Sequence, residues 1–170
     1  TFDDSQNNKI LVAAPSSRVL GNMLGHTTIL EYFKDNGYDV MHITSKFGAI
    51  INGTKVGREE FFDTLTKWGQ DDNKRFVIFH YSILSEGINV PGLTHTVLLR
   101  NLPIIEMAQT IGRVIRVHSD DRKSVADGLI PAGAFHLYKK QFGQVSVPTG
   151  QKRGDAIGRR LQNVVNQIFV

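Results

Sequence analysis

Short, wholly apolar runs that close on polar turns and then give way to helical periodicity constrain this chain more than any other feature. Lys9-Ile10-Leu11-Val12-Ala13-Ala14 stops at Pro15-Ser16-Ser17, and an unbroken apolar run closed by turn residues reads as a buried strand. From Arg18 to about Asn36, Leu20, Met23, Leu24, Ile29, Leu30 and Phe33 recur at helical spacing, with Gly37 as a stop signal. Tyr38 to Thr44 reads as a second strand. Arg58 to Trp68 reads as a second helix, carried by Phe61, Phe62, Leu65 and Trp68, and Arg75 to Tyr81 as a third strand. Thr94 to Arg100 is expected as a fourth strand, and Pro103 at a first helical position opens a helix through Gln109. Ala132 to Lys139 is expected as a fifth strand and Asp155 to Ile168 as a last helix.

Alternation of this kind predicts an α/β domain with a mostly parallel sheet, helices on both faces and right-handed crossovers. Ligands then belong at the carboxyl ends of the strands. Pro15-Ser16-Ser17, Thr44-Ser45, Tyr81-Ser82 and the Glu86-Gly87 turn all fall there. At 170 residues, with 41% hydrophobic and 21% charged, the chain is one globular domain with a sizeable core. There are no cysteines, which excludes disulfides and thiolate metal sites. No apolar run reaches spanning length and no signal-peptide pattern is present, so the expectation is a soluble intracellular protein, cytoplasmic or nucleoid-associated, with no membrane partner.

Chemistry concentrates in Gln109-Thr110-Ile111-Gly112-Arg113-Val114-Ile115-Arg116. Gln109, Arg113 and Arg116 are spaced by four and then three positions, so on a helix they project from one face. Arginine stays charged at any working pH and presents a planar fork that matches phosphate oxygens. Two arginines one turn apart therefore suit charge developing on a transferring phosphoryl group. A helix with a solvated basic face and Ile111, Val114 and Ile115 turned inward would read the same in isolation. Upstream, Leu84-Ser85-Glu86-Gly87-Ile88-Asn89-Val90-Pro91-Gly92 reads as a polar turn with a close-approach glycine, followed by the strand holding Thr96-Val97-Leu98-Leu99.

Taken together, S-E-G-I-N-x-P, an apolar strand and a helix with Q-x-x-G-R-x-x-R resemble motifs V and VI of the superfamily 2 (DEAD/DEAH-like) DNA and RNA helicases. The first strand with its Pro-Ser-Ser end looks like motif IV, and Gly57-Arg58-Glu59-Glu60 looks like the stretch that follows it. The resemblance covers nearly the whole chain and is to the C-terminal RecA-like lobe, a three-layer α/β/α domain of P-loop NTPase type without its own phosphate loop. The residues present contain no G-x-x-x-x-G-K-[ST]; the nearest approach is Gly53-Thr54-Lys55. The resemblance divides residues 1–170 into a single lobe, with 119–150 as a hairpin or insertion and 151–170 as a basic C-terminal helix, the ATP-binding N-terminal lobe lying outside these residues.

The resemblance implies that Arg116 is the arginine finger reaching ATP held by that first lobe, with Arg113 as its partner and Gln109 as a nucleotide contact. It also implies that Glu86, Gly87 and Asn89 line the interlobe cleft, with ATP and Mg2+ bound mainly by the other lobe. Ser16, Ser17, Arg18, Ser45, Tyr81 and Ser82 match the places that contact the strand backbone, though each is also an ordinary turn or cap residue. Tyr81 stands where motif V usually has threonine, and Asn89 where aspartate is common; a phenol can still hydrogen-bond a phosphate or stack on a base, and asparagine keeps hydrogen bonding without the charge. Motif VI looks closer to DNA repair, recombination, phage and restriction-type motors than to RNA helicases, so DNA is the expected partner. A non-catalytic RecA-like module binding nucleic acid or protein is the alternative.

Charge is unevenly spread within the net +4. Residues 1–112 hold 10 Lys and Arg against 12 Asp and Glu, while residues 113–170 hold 10 against 4. Lys139, Lys140, Lys152, Arg153, Arg159 and Arg160 form a candidate patch for an anionic strand. His26, His42, His80, His95, His118 and His136 show no metal-ligand spacing and read as structural or surface residues.

Overall fold

A computed structural model describes residues 7–26, 28–81, 90–99, 108, 118–140, 143–146 and 159. Within them, strands β1 (Lys9–Ala13), β2 (Asp39–Thr44), β3 (Gly48–Ile51), β4 (Thr54–Val56), β5 (Phe76–His80), β6 (His95–Leu98) and β7 (Gln144–Ser146) form one sheet. Its order is β4-β3-β2-β5-β1-β6-β7. Strands β2, β5, β1, β6 and β7 run parallel, and β3 and β4 add an antiparallel margin. The central strands β1 and β5 are buried at every residue. That is why they read as continuous apolar runs rather than alternating ones.

Register sorts the strand residues onto two faces. Leu11, Met41, Ile78 and Leu98 point to one side and pack on Phe61 and Leu65 of α3 (Arg58–Gln70). Ile10, Val12, Val40, Val77 and Phe79 point to the other and meet Leu20 of α1 (Ser17–His26) and Phe33 of α2 (Ile29–Asp35). The result is the expected three-layer α/β/α arrangement. Phe33 makes edge-on contacts with Tyr38 and Phe79, with ring centroids 5.4 and 5.9 Å apart, which lock α2 to the sheet.

Differences from the sequence expectation have local causes. The helix expected over Arg18 to Asn36 is two, α1 and α2, with Thr28, a β-branched residue in non-helical conformation, directly before the second. Gly37 does end the second, at φ +79°, its N–H bonding Lys34 O at 3.0 Å. Asn52 (φ 49°) and Gly53 (φ 83°) make the tight turn of a β3–β4 hairpin that the periodicity did not suggest. Gly53 is thus a turn residue, and Gly53-Thr54-Lys55 is no part of a phosphate loop.

The strand expected over Ala132 to Lys139 is instead a turn and a 3-10 helix (Phe135–Leu137). Gly133 sits at φ +83° and its N–H donates to the buried Tyr138 hydroxyl at 3.2 Å, closing a turn rather than extending the chain. Strand β7 comes later and pairs in parallel with β6, after helix α4 (Ser119–Ala126). Within 119–150, the described residues thus supply a helix and an additional parallel strand of the main sheet.

Candidate functional site

Three turns meet at the carboxyl edge of the parallel strands. Ala14 N–H bonds His80 O at 2.9 Å where β1 and β5 end side by side. Beyond Pro15, the Ser16 hydroxyl accepts from Val19 N–H at 3.1 Å and caps α1, leaving Ser17 and Arg18 exposed in its first turn. After β2, Thr44 Oγ1 accepts from Phe47 N–H at 2.9 Å and folds Ser45-Lys46-Phe47 into an exposed turn. Lys46 Nζ stands 5.2 Å from the Phe47 ring centroid.

Gly21 on α1 lies beside that turn: a Cβ there would meet the Phe47 ring at 3.8 Å, an ordinary contact. Tyr81 follows β5 at the same edge, 37% exposed, and Phe47 is 44% exposed. The fold therefore brings Ser16, Ser17, Arg18, Ser45 and Tyr81 to one edge, with two solvent-facing aromatic rings and two cations. Lys46 and Phe47 escaped the sequence reading, although a lysine-aromatic pair directly after a strand-ending Thr-Ser was a usable signal. Ser82, Glu86, Gly87, Asn89, Gln109, Arg113 and Arg116 lie outside the described residues, as do Lys152, Arg153 and Arg160.

What flanks those segments is described. Val90 is buried, and Pro91-Gly92 is pressed against Gly69 near the end of α3: a Cβ on Gly69 would collide with Pro91 O, and one on Gly92 (φ +68°) with Gly69 O. Two glycines at the crossing let the backbones touch. Lys9 Nζ completes the knot, donating to Gly69 O and Asp71 O at 2.8 Å each, a cation on the helix's last carbonyls. Ala108, directly before Gln109, packs on the same sheet face as α3.

At the amino edge of the strands, charged side chains are arranged differently. His118 accepts from Asp120 N–H through Nδ1 at 3.1 Å, capping α4, and its Nε2 donates to Asp72 Oδ1 at 2.6 Å. Lys139 Nζ lies 2.7 Å from Asp120 Oδ2 and 3.3 Å from Asp72 Oδ2. Asp72, His118 and Asp120 have the spacing of a cation site, but the Lys139 ammonium already supplies the cation between the two carboxylates.

Burial works to raise the Asp72 pKa, yet the hydrogen bonds and charges of His118 and Lys139 outweigh it and hold the carboxyl below its usual range. The hydrogen bonds to Asp120 and Asp72 raise the Lys139 ammonium. Lys140 turns inward to donate to Leu93 O at 2.7 Å; burial, and then the Lys9 charge, push it down to about 8. Lys139, though exposed, and Lys140 are thus both bonded within the fold.

With this geometry in view, the comparisons identify the family. The model of the helicase conserved C-terminal domain matches residues 2–118, more than half of the chain. The chain belongs to that family: it is a helicase conserved C-terminal domain, with a three-layer α/β/α fold. No curated protein matches it. Among solved structures, it is similar to the crystal structure of the C-terminal part of Fun30 ATPase domain, at 14% identity and a TM-score of 0.49. That alignment covers 91% of this chain and 39% of the other. Among the described residues, no helix is long and apolar enough to cross a membrane.

Proposed function

We propose that this domain is the second motor lobe of an ATP-dependent helicase or translocase that acts on nucleic acid, DNA in preference to RNA. In this reading a first lobe supplies the phosphate loop and the residues that hold Mg2+. Arg116 reaches across as arginine finger, Arg113 supports it, and Gln109 senses the nucleotide. Glu86, Gly87 and Asn89 couple the nucleotide cleft to the strand. Fixed positive charge aimed where negative charge develops on the γ-phosphoryl group is the catalytic contribution expected of the pair.

The carboxyl edge of the sheet supplies the grip. Ser16, Ser17, Ser45 and Ser82 offer hydroxyls to the sugar-phosphate backbone, Arg18 and Lys46 offer charge, and Tyr81 and Phe47 offer flat faces on which bases stack. The observation that supports the reading is the convergence of three turns at this edge, in a family whose model ends at residue 118, just past Arg116. Both proposed motifs also leave from anchored points, Pro91-Gly92 on Gly69 and Ala108 on the core.

The test is Arg116→Ala in a protein that carries both lobes. Hydrolysis stimulated by nucleic acid falls by roughly 10³-fold or more while ATP binding persists. Unchanged turnover removes Arg116 from the ATP site.

A further inference from the structure

His118 stands where the family match ends and α4 begins. Its imidazole is used at both nitrogens. Nδ1 accepts from Asp120 N–H at 3.1 Å, and a neutral ring that accepts there carries its proton on Nε2, which donates to Asp72 Oδ1 at 2.6 Å. Capping α4 needs only a short polar side chain. The longer imidazole adds a bond across 46 residues of sequence, to the turn between α3 and β5.

That turn is a fixed mount. Asn7 Nδ2 donates to Asp72 O at 2.7 Å, Lys9 Nζ to Asp71 O at 2.8 Å, and Asn73 N–H to Asp71 Oδ1 at 2.9 Å, so its backbone is pinned to the start of β1 and to itself. Lys139 Nζ donates to the other oxygen of Asp72 at 3.3 Å and to Asp120 Oδ2 at 2.7 Å, which holds the carboxylate in place. Asp121, 2% exposed, accepts from Lys139 N–H at 2.8 Å and Lys140 N–H at 3.1 Å and ties α4 to the segment after it. Both ends of the His118–Asp72 contact are therefore held. The Asp72 side chain is 47% exposed and that of His118 17%, and a polar contact so open to water contributes little to stability. Its effect is on position.

We infer that His118 is a positioning residue for the arginine finger: through its bond to Asp72 it ties the chain just past Arg116 to the turn between α3 and β5. The inference rests on the role proposed for Arg116. Two peptide units join Arg116 to His118, so covalent geometry alone keeps their Cα atoms within about 7.6 Å. Ala108, packed on the sheet, anchors the chain just before Gln109, and the Asp72 contact supplies the anchor on the other side of residues 109–117. A guanidinium that must meet charge developing on a phosphoryl group loses effect steeply with misplacement, on the order of 10²-fold for about 1 Å. A segment held at both ends restricts that error.

The test compares two substitutions in a protein that carries both lobes, with Arg116→Ala alongside. His118→Asn keeps an oxygen that caps α4 but is too short to reach Asp72, whereas His118→Gln keeps an amide N–H at the reach of Nε2 and gives up the cap. His118→Asn lowers kcat for hydrolysis stimulated by nucleic acid by about tenfold to 100-fold, with KM for ATP and the melting temperature nearly unchanged, because the arginine acts in the transition state. His118→Gln retains most of kcat and loses melting temperature instead. Undiminished kcat in His118→Asn, where Arg116→Ala abolishes hydrolysis, overturns the tether and leaves the finger standing. Equal losses of kcat and of melting temperature in both His118 variants also overturn it, making His118 a cap alone. Unchanged hydrolysis in Arg116→Ala overturns the reading of the arginine itself, and the role of His118 with it.

Discussion

The two edges of the sheet use charged and polar residues in opposite ways. At the carboxyl edge, Ser17, Arg18, Ser45, Lys46 and Phe47 face solvent, and the bonds that do form there, Ser16 to Val19 and Thr44 to Phe47, shape the turns. At the amino edge, Lys9 caps α3, His118 caps α4 and Lys139 bridges two carboxylates, so the charges hold elements together. An edge whose charges are satisfied internally is a framework. One whose polar groups point outward is available to a ligand.

The largest effect that sharpens this contrast is at the glycine crossing. Gly69→Ala or Gly92→Ala forces apart backbones already in contact and destabilises the fold by about 3 kcal/mol, measured by denaturant unfolding. An effect below about 1 kcal/mol means the crossing is loose and the amino edge is no framework.

Next comes the buried cation. The folded pKa of Lys140, about 8, lies below its ordinary 10.5, so between these values the unfolded chain binds more protons. Stability therefore rises as pH climbs from about 8 to about 10.5, by about 2 kcal/mol after discounting for the part of the ammonium still in water. Lys140→Met abolishes that slope; a slope that survives it belongs to another group.

At the carboxyl edge, Phe47→Ala weakens binding of single-stranded DNA to a two-lobe protein by about 1 kcal/mol, roughly fivefold, with little change in unfolding. The reverse pattern, lost stability with unaltered binding, would make Phe47 a packing residue over Gly21. Smallest is Asp120→Asn, an exposed partner of Lys139, which leaves the melting temperature within about 2 °C. A larger shift would mean that the ion network carries the edge. Asp72, with its lowered pKa, stabilises above the ordinary carboxylate range, and that contribution disappears as pH falls through the folded value.

Legibility in the sequence followed the reach of the interactions. Strands β1, β2, β5 and β6 and helix α3 were readable because a strand buried on both faces needs an apolar run and a half-buried helix needs apolar residues every three or four positions. The strand misplaced onto Ala132 to Lys139 shows the limit: that segment is a turn and a 3-10 helix closed by the Gly133 to Tyr138 bond, while β7 is the three-residue segment Gln144–Ser146, defined by its ladder with β6. The candidate strand-contact residues were readable as turn chemistry at strand ends. Phe47 and Lys46 emerged only when β2 and α1 brought their turns together.

The sequence by itself determined the alternation that makes a parallel three-layer domain and the ordered motifs that mark a helicase C-terminal lobe, since both are written in local spacing. Only the tertiary structure decided that Lys9, Asp72, His118, Lys139 and Lys140 meet at one edge. Those residues are brought together by strand register and by the backbone contact of Gly69 with Gly92, and a charge network assembled across such separations leaves no periodic trace in the chain.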